Sequence, residues 1–98
     1  MTHIIWRPEA ADELEEAHGW YTARNPAAAD GFADEIVHAL AVIEDSPARW
    51  AVEGHGARRF PLRRFPFKLV YRWRPDEDVV ELIAVAHDKR RPGYWQDR

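Results

Sequence analysis

Apolar positions recur along this chain with two periods, helical in the first half and strand-like after Ser46-Pro47. His3–Trp6 predicts a short opening strand. Pro8 then suits the first position of a helix, with Glu9 and Asp12 near the positive end of its dipole. Ala10, Leu14, Ala17 and Tyr21 repeat at helical spacing, while Glu13, Glu15 and Glu16 lie elsewhere around the helix. Asn25-Pro26 reads as the cap and first residue of a second helix. Its stripe of Ala29, Phe32, Ile36, Leu40 and Ile43 runs until Ser46-Pro47 stops it. Two such helices joined by a few residues make an antiparallel hairpin, and their apolar stripes need a common partner layer.

The second half supplies that layer. Residues 57–63 predict a strand, with Pro61 placing it at an edge or a bulge. Phe67, Leu69, Tyr71 and Trp73 alternate with Lys68, Val70, Arg72 and Arg74, the pattern of a half-buried strand. Pro75-Asp76-Glu77-Asp78 is a turn, and residues 79–86 form the most hydrophobic strand, expected at the centre. Short turns favour antiparallel neighbours. The expected fold is α+β, in the order β-α-α-β-β-β, with an antiparallel helical hairpin packed on one face of a small antiparallel sheet. No internal repeat or linker divides the chain, so residues 1–98 read as one domain.

Charge changes this picture locally. The chain has 98 residues and a formal net charge of −3, yet residues 58–74 hold seven bases and no acid. The halves differ in sign: residues 1–48 carry ten acids and two bases, residues 49–98 seven acids and twelve bases. A dedicated non-specific duplex binder is usually basic throughout, so the acidic half weakens a nucleic-acid reading. Strand alternation also divides the basic segment, sending Lys68, Arg72 and Arg74 to the face away from the helices. Arg58 and Arg64 fall on one side of the preceding strand, Arg59 and Arg63 on the other. The absence of cysteine removes disulfides and thiolate chemistry and fits a reducing compartment. With no signal-peptide pattern and no membrane-spanning run, a soluble cytoplasmic protein is expected.

Several residues have chemistry worth locating. His87 lies immediately after the most hydrophobic strand, where an imidazole can exchange protons near neutral pH or simply cap a turn. Arg91 has the planar fork that clamps phosphate or carboxylate, and equally suits a salt bridge. Tyr94 and Trp95 suit base stacking or, more simply, anchoring of the tail. Glu53 and His55 share a glycine-containing loop before the basic strand, but their spacing makes no metal site, and no metal or cofactor motif occurs. A metal-independent ribonuclease needs a base for the ribose 2′-OH, a cationic clamp and a proton donor. Glu53 or His87, Arg59 or Arg91, and His87 or Tyr94 are the candidates for these three roles.

The ordered series Arg59-Phe60-Pro61-Leu62-Arg63-Arg64-Phe65-Pro66-Phe67-Lys68-Leu69-Val70-Tyr71-Arg72, then Val79-Val80-Glu81-Leu82-Ile83-Ala84-Val85-Ala86-His87, then Arg90-Arg91-Pro92-Gly93-Tyr94-Trp95 resembles the RelE/ParE family of type II toxins. Ala11-Asp12-Glu13-Leu14 and Trp20-Tyr21 fit that family's first helix, so the resemblance covers almost the whole chain. It implies a small growth-inhibiting bacterial toxin, of the kind tied to plasmid stabilisation. The implied partner is a cognate antitoxin, a DNA-binding module whose C-terminal segment folds across the toxin. Arg64, Lys68, Arg72, Arg90 and Trp95 are the expected partner or target contacts. RelE-like members cut messenger RNA on translating ribosomes without metal, whereas ParE-like members block DNA gyrase and need no RNA-cleaving residues. The acidic total charge, and the lack of lysine between Arg49 and Arg58, depart from the RelE pattern. The resemblance therefore leans toward a ParE-like gyrase inhibitor. An mRNA endoribonuclease is the alternative, and a non-toxic adaptor of the same fold a third reading.

Overall fold

A computed structural model describes residues 2–98. Strand β1 (His3–Trp6) leads into helix α1 (Pro8–Arg24), and helix α2 (Pro26–Asp45) follows after a single residue. A loop with one tight turn at Gly54–Gly56 leads to β2 (Arg58–Pro61), β3 (Phe67–Arg74) and β4 (Val79–His87). Both helices begin with proline at a position whose missing N–H costs nothing. Asn25 closes α1 and opens α2: its backbone N–H reaches the Tyr21 carbonyl, and its side chain accepts from the Ala28 N–H at 3.2 Å.

The sheet order is β1-β4-β3-β2, which places the most apolar strand centrally, as its composition predicts. β2, β3 and β4 are antiparallel, but β1 runs parallel to β4, pairing His3 with Val79 through Trp6 with Leu82. No short turn joins β1 to its neighbour. The chain leaves β1 through two helices and returns two strands later, so no hairpin fixes its direction. The basic strand is also shorter than residues 57–63. It ends at Pro61, and Arg63 and Arg64 lie in the following bend rather than alternating along a strand. The Glu35 carboxylate of α2 accepts the Arg63 N–H and the Arg64 N–H, fixing this bend against the helix.

Helix stripes and sheet meet as expected. Ala10, Ala17, Phe32, Ile36 and Ile43 pack on Leu69, Tyr71, Val80, Leu82 and Val85. Burying apolar side chains of this size stabilises by about 1.5–3 kcal/mol each, which makes this layer the main source of stability. Tyr71 is fully buried, with its hydroxyl donating to the Pro47 carbonyl at 2.8 Å.

The opposite face is not simply solvated. Val70, grouped by alternation with Lys68, Arg72 and Arg74, is fully buried in a second cluster with Ala57, Ile83, Ala84, Ala86 and Trp95. The C-terminal segment folds back here. Gly93, with φ of 75°, makes the turn that brings Trp95 onto the small alanines. Periodicity does not reveal this cover because the segment has no repeating pattern of its own.

Between Tyr71↔Leu82 and Val70↔Ala84 the register skips Ile83, a β-bulge in β4. The extra residue changes the phase of the strand. Val80 and Leu82 before it and Val85 after it face the helices, while Ile83, Ala84 and Ala86 face the tail.

Candidate functional site: a groove at the sheet edge

β1 is shorter than the strand it pairs with. Its ladder stops at Leu82, whose carbonyl accepts the Arg7 N–H at 3.0 Å, and β4 continues five residues further with no strand on this edge among the described residues. After the bulge, Val85 turns its backbone toward this edge, and side chains take over from the missing strand. The Val85 N–H donates to Glu13 Oε1 of α1 at 3.0 Å. The other carboxylate oxygen accepts from the Tyr94 hydroxyl at 2.7 Å, and the Arg98 guanidinium bonds both oxygens at 2.8 and 3.1 Å. Arg98 also donates to the Ile83 carbonyl at 3.1 Å. One carboxylate thus joins α1, β4 and the tail. Burial and then the bond to Glu13 push the Tyr94 phenol far above its ordinary range, and the same carboxylate raises Arg98.

Beyond Glu13 the space between α1 and the end of β4 opens as a groove of about 420 Å³. Ala17, Trp20 and Tyr21 line its helix side, Phe67 and Val85 its floor, and His87 and Arg90 its far rim. Trp20 is 53% exposed, an unusual state for the largest apolar side chain. Its ring meets Tyr21 edge-on at 5.2 Å and carries the Arg24 guanidinium at 4.2 Å. Tyr21 continues the aromatic contacts to Phe32, Phe65 and Phe67, so the wall of the groove is fixed by the core beneath it.

The residues singled out from sequence fall into separate places. His87 is at the groove, its ring edge-on to Phe67 at 4.9 Å and its Nδ1 accepting the Lys89 N–H at 3.0 Å. Arg90 lies over the Tyr94 ring at 3.9 Å. Arg91 is exposed, and its guanidinium makes no hydrogen bond or ion pair among the described residues. Glu53 and Arg59 are elsewhere. They form a two-pronged ion pair, and Arg59 shares the Val70 face, opposite the one His87 shares with Phe67. Hydrogen bonds from Arg59 hold the Glu53 carboxyl below its usual range, and Arg59 is raised in turn.

The expected contact residues are also engaged within the chain. Arg64 pairs with Glu35 and Lys68 with Asp88, each at 3.4 Å. Arg72 donates to the carbonyls of His55 and Arg98 at 3.0 and 2.7 Å. Trp95 is buried beneath the tail. Glu13 and Trp20 are site residues that the linear pattern does not single out, although Trp20 carries one signal, a large aromatic outside the stripe of its helix.

Among the described residues no helix is long and apolar enough to cross a membrane, and no cluster of His, Asp and Glu could hold a metal ion. A sequence profile described as the ParE toxin of the type II toxin–antitoxin system parDE matches residues 4–92. No curated protein matches the sequence. A solved structure from a chromosomal ParDE toxin–antitoxin system of P. aeruginosa superposes with a TM-score of 0.74 at 21% identity, covering 89% of this chain and 96% of that one.

Proposed function

Because the chain belongs to the ParE toxin family of type II toxin–antitoxin systems, we propose that it inhibits DNA gyrase by binding, and that a cognate antitoxin neutralises it. The observation that carries this reading is the dispersal of the reactive groups. Cleavage of RNA without metal needs a base, a clamp and an acid around one phosphate. Here the Glu53 and Arg59 side chains bond each other on one face of the sheet, and the Tyr94 hydroxyl donates to Glu13. His87 lines the groove with Arg90 and Glu13, on the face of the sheet away from the Glu53–Arg59 pair. A binding inhibitor needs no such convergence. The groove suits an extended antitoxin segment that lays apolar side chains on Trp20, Ala17 and Phe67.

Purified protein is expected to abolish supercoiling by gyrase, to leave messenger RNA on translating ribosomes uncut, and to stop growth when produced without its antitoxin. Gyrase unaffected at saturating protein would refute the reading. Cuts on translated messages, lost on His87→Ala or Arg91→Ala in folded protein, would put the endoribonuclease in its place.

A further inference from the structure

A second groove lies on the other side of the helical hairpin, away from the sheet-edge site. It measures about 540 Å³ and runs between α1 and α2. Leu14 and Ala11 form one wall, Ala33, Val37 and Leu40 the other, with Phe32 and Ile36 at its base. Val37 is 67% exposed although nothing polar accompanies it on that wall, and Leu40 is only half-buried. Only Glu15 and His18 interrupt the apolar lining.

Charge around this groove has one sign. Residues 8–45 hold ten acids and a single base, Arg24. Two of the acids are turned to partners elsewhere, Glu13 to β4 and the tail and Glu35 to the bend after β2. Most of the others remain on the helix surfaces: Glu15 sits in the wall, and helical spacing sets Asp30 and Glu44 in the row of Ala33, Val37 and Leu40, one at each end. An apolar trough between two helices has the shape that accepts a third helix, by ridges in the groove. Its acidic surround decides among the occupants. Phosphate backbones and anionic lipid surfaces are repelled. A second copy of the same hairpin brings the same acids, and the bases elsewhere on the chain are largely bonded internally, as at Arg59, Arg64, Lys68, Arg74 and Arg98.

We propose that the outer hairpin groove is a docking site for an amphipathic helix of a partner protein, with a short apolar ridge flanked by lysine or arginine. The site stands apart from the gyrase and antitoxin reading of the sheet-edge groove and does not rest on it.

The probes are labelled synthetic helical peptides of about 18 residues, long enough to hold helix on binding. Each has leucine at helical spacing, flanked by lysine in one peptide and by glutamate in the other. By fluorescence anisotropy the lysine peptide binds at least about tenfold more tightly than the glutamate peptide, the sum of several modest charge contacts. Val37→Asp weakens it by about tenfold or more, and its exposed position leaves thermal melting unchanged. Glu15→Lys, on the exposed rim, weakens the lysine peptide and strengthens the glutamate peptide, which localises binding even if Val37→Asp perturbs the helix. Equal binding of the two peptides, or indifference to both substitutions, overturns the proposal. So does sedimentation as a dimer that Val37→Asp dissociates, since a second copy then fills the groove.

Discussion

Glu13 shows how much one side chain can decide here and how little of it a sequence displays. In the linear pattern it is one of several acids around the first helix, and its character as a surface residue follows from composition. Its partners Val85, Tyr94 and Arg98 lie 72, 81 and 85 residues further along the chain. No local period reports contacts at that separation. Physically, the carboxylate is needed because β4 outruns β1, and a backbone N–H near the core must find an acceptor. With the Glu13 and Arg98 side chains only 14% and 18% exposed, removing one partner leaves the others desolvated and unpaired. Glu13→Ala is expected to destabilise the protein by about 3 kcal/mol, and Glu13→Gln, which keeps one acceptor, by less. Urea unfolding of the two variants measures this. A loss for Glu13→Ala within the range of ordinary surface substitutions would mean that the tail, not the carboxylate, holds this edge.

At the scale of elements, the hairpin was the most legible part because its signals are local. Proline at the first position of each helix, Asn25 between them and the apolar spacing all act within a few residues. Asn25 carries both ends at once, so Asn25→Ala is expected to cost about 1 kcal/mol, lowering the thermal midpoint without changing the sheet. An unaltered midpoint would show that Pro26 and packing alone set the start of α2. The strands were legible in position but less so in detail. The parallel direction of β1 depends on a pairing across two helices. The bulge at Ile83 falls in the unbroken apolar run Leu82-Ile83-Ala84-Val85-Ala86, where alternation carries no phase to lose. That bulge turns Val85 to the groove edge and Ala84 to the tail, so the least visible feature of the sheet positions the candidate site.

On the scale of the molecule there are three layers, hairpin, sheet and a C-terminal cover, the last foreshadowed by the anchoring expected of Tyr94 and Trp95. The segregation of charge was legible, as was the division of the basic segment between faces. That most of those bases are committed within the chain was not, because ion pairs follow tertiary placement. The three layers have a collective consequence at high pH. The chain has three tyrosines: Tyr21 and Tyr71 both pack in the core between hairpin and sheet, and Tyr94 lies under Arg90 and bonds Glu13. Burial raises all three phenols, and the Glu13 carboxylate adds to the shift of Tyr94. A group whose folded value lies above its unfolded one contributes stability that is complete below the unfolded value and is lost as pH rises toward the folded one. Unfolded tyrosine ionises near pH 10, so above that point the unfolded chain releases protons that the native chain retains. Near-ultraviolet absorbance at pH 10 is therefore expected to show less tyrosinate in native protein than in urea, where the phenols are about half ionised. Stability should fall with a slope approaching about 1.4 kcal/mol per pH unit for each phenol still protonated in the native state. Tyr94→Phe should lessen that slope more than a replacement at Tyr21, which burial alone raises. Native tyrosines that titrate in step with the unfolded chain would contradict the packing of the hairpin on the sheet, which shelters Tyr21 and Tyr71, and the bond that ties Tyr94 to Glu13.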